Sequence, residues 1–236
     1  MDTFELKKEQ LRLAPKVELR DSLTKFKTIA GTSCIPIDNK LLACVAVCEY
    51  PSLKLLESKT YILHDPLPYK PGFLAYREMP AIIEAINLLE EEPDLILVAG
   101  AGIAHPLKLG IASHLGLALN KPTIGIMENL SIGKVEKGKI IMSNEIVGFE
   151  VITKEHANPL YVSPGHLVTL GTSLNVIRET IQYPHKMPEP IHLAHKIAKK
   201  KAREFPSKTT EEATPFPQIQ ALLEDHSSIP DLSLAK

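Results

Sequence analysis

The period of the hydrophobic positions changes along this chain, and each change marks an expected element. Residues 4 to 27 mix charges with leucines and valines at helical spacing around Pro15, which predicts one or two short amphipathic helices. From Thr28 the period shortens. TIAGTSCIPIDNKLLACVAVCEY (28 to 50) reads as two β-rich runs joined by a turn at Asp38-Asn39-Lys40, and LKLLESKTYILH (53 to 64) adds a third strand. LPYKPGFLAYREMP, dense in Pro and aromatics, reads as a loop before an amphipathic helix over 81 to 92. PDLILVAGAG is a continuous apolar run ended by glycines, as in a strand buried on both faces. A helix over 107 to 120 and a strand over 121 to 128 complete a β-α-β unit with a parallel pair. Alternation around Lys137-Gly138-Lys139 predicts a further hairpin within 133 to 155. Beyond it, PLYVSPGHLVTL predicts a strand with a turn at Pro164-Gly165, then a helix from about Thr172 to Ile181 capped near Gly171 or Thr172, and a last helix. The class is α/β: a mixed sheet, antiparallel meander plus β-α-β parallel strands, flanked by helices.

Composition narrows the reading. A chain of 236 residues holds one domain of about 150 to 200 residues plus a tail. The expected division is a domain over 1–202 and a flexible tail over 203–236, where EFPSKTTEEATPFP is disorder-prone and IQALLEDH offers at most a short helix. With 44% hydrophobic and 23% charged residues, neither a coiled coil nor wholesale disorder is suggested. No apolar run approaches the roughly 18 to 20 residues of a membrane span, and no apolar segment follows the first charges, so a soluble, cytoplasmic protein without a membrane partner is expected. Cys34, Cys44 and Cys48 share one apolar stretch without C-x-x-C spacing and read as small hydrophobes. Lys plus Arg number 27 against 28 Asp plus Glu, a formal net charge of -1, so any binding of nucleic acid rests on local patches.

Five segments then carry a resemblance. PYKPGFLAYREMPAI, PDLILVAGAGIAHPLKLGIASHLGL and PTIGIMENLSIG, followed by SPGHLVTL and MPEPIHLAH, resemble the endonuclease V family in order and spacing over roughly residues 5 to 200. The resemblance implies a ribonuclease H-like fold. It also implies a nuclease that cuts 3′ to inosine with Mg²⁺, a hard cation that takes carboxylate oxygens at the ends of two central strands. The family's A-G-V-D-V reads AGTSC here, putting Ser33 at the first ligand position, and its D-G-x-G reads AGAG, putting Ala99 at the second. Glu78 in AYREMP matches the family glutamate, Glu128 replaces its lysine, and His166 matches P-G-H, while Gly171 stands where relatives usually carry an acid. The expected catalytic remnants are therefore Glu78 and His166, with no cofactor unless the protein is active, in which case Mg²⁺ would fall to Glu78 and Glu128. Asp38, five residues beyond Ser33 and about 16 Å along an extended strand, reads as a turn residue.

The recognition elements are better kept. Pro68, Tyr69 and Pro71 match the family's stiff loop, whose tyrosine is a wedge beside the lesion, with Lys70 the departure. Gly72, Leu74, Gly100, Gly125 and Leu130 match the family's pocket for the extruded base, and Met127 replaces a small alanine. Read without the family, Tyr69 merely caps a Pro-rich loop and Gly100 with Gly102 is too little for a phosphate cradle. On the same reading His105 and His114 are packing residues, His192 and His195 surface residues, and KIAKKKAR (196 to 203) either a phosphate contact or a solvated helix end. Three functions follow: an inactive homologue that binds inosine-containing or distorted DNA or RNA, an active nuclease with a rearranged centre, or a scaffold with a protein partner.

Overall fold

A computed structural model describes residues 2–205 of the chain. The expected meander forms from strands β1 (Thr28–Ile37), β2 (Lys40–Glu49) and β3 (Leu55–His64), with Asp38 at φ 50° in the tight turn between the first two. β1 pairs antiparallel with β2 and parallel with β4 (Leu95–Ala99), which pairs parallel with β5 (Thr123–Met127). The remaining strands are β6 (Lys134–Glu136), β7 (Lys139–Met142), β8 (Glu145–Val151) and β9 (Leu160–His166). Among the described residues they make one sheet in the order β3-β2-β1-β4-β5-β9-β8-β7-β6.

Helices cover both faces, as buried parallel strands require. Helix α2 (Leu74–Asn87) and helix α3 (Ile111–Leu119) pack on one face, where Ile82, Ile86 and Leu115 meet Ala30, Val45, Ile96 and Val98. Helix α4 (Leu170–Thr180) and helix α5 (Glu189–Ala202) pack on the other, with Ile177 and Ile191 against Ile29, Leu97 and Ile126, and Ala194 and Ala198 against Leu42 and Cys44. Each fully buried Ile or Leu contributes about 1.5 to 3 kcal/mol. Helix α1 (Thr3–Leu13) is joined to α2 by the Tyr76 hydroxyl, which donates to the Leu6 carbonyl at 3.0 Å. Cys44 and Cys48 are buried free thiols.

Several expectations need correction. α2 begins at Leu74, inside the expected loop, with Pro80 in its interior, and it ends at Asn87 rather than 92. An interior Pro costs a helix about 3 kcal/mol. The apolar face of Ala75, Ala81, Ile82, Ala85 and Ile86, all buried, offsets it. Of the one or two helices expected before Thr28, α1 is one, followed by a short 3₁₀ turn at Ala14–Lys16. The hairpin over 133 to 155 is three strands, with a second turn at Ser143 and Asn144, both at positive φ. Pro164 and Gly165 do not turn the chain: β9 runs through them, and a register shift beside Thr123 absorbs the irregularity. α4 starts at Leu170 because the Thr169 side chain caps it, accepting from the Thr172 N–H. Of the tail expected from residue 203 only residues 203 to 205 are described, and the short helix expected in IQALLEDH lies outside the described residues.

Candidate nucleic-acid site

The register of the central strands assembles the first candidate positions. Gly31 lies opposite Leu97, so continuing by two residues sets Ser33 level with Ala99. Ala99 in turn is paired with Ile126, just before Met127 and Glu128. Ser33, Ala99 and Glu128 therefore gather at one end of the sheet. Alternation along β1 points Ser33 toward α5 and Cys34 toward α2.

Ser33 is buried and its Oγ lies 3.2 Å from Nδ1 of His195 on α5. α5 can approach so closely because Gly31, two residues earlier, presents no side chain: a Cβ there would stand 2.2 Å from the Pro190 carbonyl carbon. On the other face, burial pushes the Glu78 carboxyl up to about 7, against the lowering effects of Arg77 and of the Cys34 thiol that donates to it. The same burial, reinforced by Glu78, raises the Cys34 thiol. Glu128 is exposed and accepts from Lys186 Nζ at 3.0 Å.

This donor set does not suit Mg²⁺. Ser33 offers a hydroxyl already engaged by an imidazole, Ala99 offers no side-chain oxygen, and Glu78 is partnered by the Cys34 thiol while Glu128 is partnered by Lys186. Among the described residues no group of three or more His, Cys, Asp and Glu side chains is placed to hold a metal ion.

His166 stands elsewhere. It pairs with Thr123 at the start of β5, about 13 Å along the strand from Met127. Its Nδ1 accepts from the Glu18 N–H at 3.1 Å, and burial lowers its pKa. The histidine that does reach the Ser33 end is His195. It is exposed, as expected of a surface residue, yet its Nδ1 reaches Ser33, and MPEPIHLAH, one of the segments carrying the family resemblance, contains it.

The loop from Pro68 to Gly72 is held at its base. The Gly72 carbonyl accepts from Gln10 Nε2 at 2.9 Å and meets His105 Nε2 at 3.1 Å. Because the Leu107 N–H donates to His105 Nδ1, the ring is the neutral tautomer with its proton on Nε2, and burial lowers its pKa. Gly72 itself needs its positive φ of 79°. Above this anchor Tyr69 is half exposed, beside a cleft lined by Leu6, Leu67, Pro68, Lys70, Phe73 and Tyr76. His114 packs edge-on against Tyr76.

The family's pocket positions meet around the segment after β4. Leu74 lies beside Gly100, and Leu130 packs with Ala101, Ile103 and Met127. At Gly125 the close approach is made by the chain itself, since a Cβ would stand 2.4 Å from Gly102 N and 2.5 Å from Gly100 O.

The family model described as Endonuclease V matches residues 11–196. The chain belongs to the endonuclease V family. An endonuclease V from Dictyoglomus thermophilum is 37% identical over 212 residues, covering 86% of this chain and 91% of that protein. One from Nostoc sp. is 43% identical over 165 residues, covering 66% of this chain and 74% of its own length. Among solved structures, endonuclease V from Ciona intestinalis in complex with a 24mer DNA containing an inosine followed by a ribo-adenosine superposes with a TM-score of 0.79 at 27% identity, covering 86% of this chain and 98% of that one. The Streptomyces avermitilis endonuclease V gives 0.77 at 26%, covering 86% and 94%. The mixed sheet flanked by helices is thus the ribonuclease H-like fold of endonuclease V. No helix among the described residues is long and apolar enough to cross a membrane.

Proposed function

We propose that this endonuclease V homologue binds inosine-containing or distorted DNA or RNA without cutting it. The observation that carries the reading is the Ser33–His195 hydrogen bond: where the family resemblance puts a metal-binding carboxylate, a hydroxyl is closed off by an imidazole, level with an alanine. A phosphodiester cut needs the charge on the leaving and attacking oxygens stabilised, and among the described residues no carboxylate cluster stands at this end of the sheet to hold cations for it. The presenting loop is a separate matter. Tyr69 rides on prolines and on an anchored Gly72, so an aromatic is offered to a base stack at little ordering cost. Binding of inosine-containing DNA by the Ciona intestinalis relative supports the choice of ligand.

The test is a labelled inosine-containing strand and its adenine control, incubated with the protein in Mg²⁺ and then Mn²⁺ and run on native and denaturing gels. Retention of the inosine strand without new fragments is expected. Metal-dependent fragments abolished by Glu78→Ala would replace this reading with a nuclease of altered centre. Neither retention nor fragments would leave the fold as a scaffold for a protein partner.

A further inference from the structure

α5 carries a charge pattern that its packing does not use. Its buried face is Ile191, Ala194 and Ala198. On the opposite face, at spacings of three and four, stand His192, Lys196, Lys199, Lys200 and Arg203. Between Glu189 and Glu204 the helix contains no acidic residue. The four cations are exposed, and among the described residues none takes part in an ion pair, whereas neighbouring Lys201 pairs with Glu204. In a chain of net charge -1 this is a local excess on a single face.

Two features join the stripe to the candidate site. His195, one residue before Lys196, holds Ser33, so the stripe begins at the end of the sheet where Ser33 and Ala99 lie. On the N-terminal side of His195 the segment before α5 folds back onto the helix. The His185 ring stacks on His192 with centroids 3.6 Å apart, and His185 Nδ1 lies 2.7 Å from Glu189 Oε2. Two residues before His185 stands Tyr183, an aromatic 92% exposed. An exposed ring before the N-terminal end of a helix whose outward face carries unpaired cations combines the two elements that bind unpaired nucleic acid: stacking on the ring, counterion release along the cations.

We propose that Tyr183 and the outward face of α5 form a track for a single-stranded nucleic-acid backbone that passes the Ser33 end of the sheet at His195. This rests on the nucleic-acid-binding reading above and adds residues that the wedge loop does not include. Lys196, Lys199 and Lys200 contact phosphates, and an unpaired base stacks on Tyr183. The cations carry no base specificity, so the track accepts DNA or RNA of any sequence.

The experiment measures affinity for an inosine-containing oligonucleotide with a single-stranded extension, against salt, for wild type, a Lys196→Ala/Lys199→Ala/Lys200→Ala variant, its all-arginine counterpart, Tyr183→Ala and Tyr69→Ala. Three lost phosphate contacts should flatten the slope of log affinity against log salt by about 2. Over a fourfold rise in salt the wild type then loses roughly 18-fold more affinity than the alanine variant. The arginine variant should keep the wild-type slope, which separates lost charge from a damaged helix. Tyr183→Ala should weaken the extended strand by about five- to a hundred-fold and leave a blunt duplex unchanged. A wild-type slope in the alanine variant, with Tyr69→Ala alone impairing binding, overturns the track and leaves the proposed function standing. An equal loss of binding to polyglutamate would assign the stripe to acidic proteins and also overturn it. Absence of any wild-type binding ends both.

Discussion

Ser33 Oγ and His195 Nδ1, 162 positions apart in sequence, meet at 3.2 Å and tie α5 to the central strand β1. The contact puts a hydroxyl and an imidazole at the end of the sheet where the family resemblance places a cation ligand. It makes α5 part of the site as well as a cover for the core.

Restoring oxygen there should restore metal binding. A Ser33→Asp/Ala99→Asp variant places two carboxylates on one face at one level of the sheet, beside His195. Calorimetric titration with Mn²⁺ at millimolar concentration should give heat for the double variant and none for the wild type. Equal heats would mean that the wild type already holds the cation through other groups.

Glu78 should make stability fall as pH rises. Burial lifts its carboxyl from an ordinary 4.5 to about 7, so between those values the folded chain keeps a proton that the unfolded chain has released. The stability loss begins above about 4.5 and is complete above about 7. Glu78→Gln does not titrate, so its advantage over wild type should grow between about pH 5 and pH 8, on the order of 2 kcal/mol. Urea unfolding at both pH values measures it, and a constant difference would place the carboxylate in a more solvated setting.

The anchor of the Tyr69 loop should show the opposite sign. Burial lowers the His105 pKa, so its contribution to stability is present above the ordinary 6.5 and lost as pH falls through the depressed value. A proton on Nδ1 ends its acceptance from the Leu107 N–H. Protection of the amides near Gly72, taken relative to the intrinsic exchange rate at each pH, should fall in acid, while His105→Gln, which cannot titrate, should keep it constant.

Gly31→Ala should damage fold and site together. The new Cβ would meet Pro190 backbone at 2.2 Å, where no side chain can swing aside. Displacing α5 should cost about 3 kcal/mol by urea unfolding and change the His195 imidazole resonances as Ser33 is lost. An unchanged His195 spectrum would show that the helix accommodates the methyl without moving.

Local periodicity made much of this protein legible. The alternating runs of β1 to β3 and the turn at Asp38 and Asn39 were readable because strand period and turn chemistry are properties of neighbouring residues. So was the buried run of β4. Two Pro-containing stretches misled for the same reason: the cost of Pro80 in a helix is local, whereas the apolar face that offsets it counts only once the sheet is underneath. The bulge that lets β9 run through Pro164 and Gly165 likewise depends on β5.

The division is sharper at the site. That Ser33 and Ala99 cannot supply carboxylates follows from residue identity and needs no fold. Which histidine stands beside Ser33 does not follow: neither the P-G-H setting of His166 nor the His- and Lys-rich helix around His195 points to that contact. Pairing with Thr123 fixes His166 at the far end of the sheet, while the close packing of α5 at Gly31 brings His195 to Ser33. The sequence by itself thus determined the strands of the meander and of the β-α-β unit, the family and the missing oxygens. Tertiary structure alone decided which distant side chains meet, because such contacts follow from strand order and helix packing and leave no trace in sequence spacing.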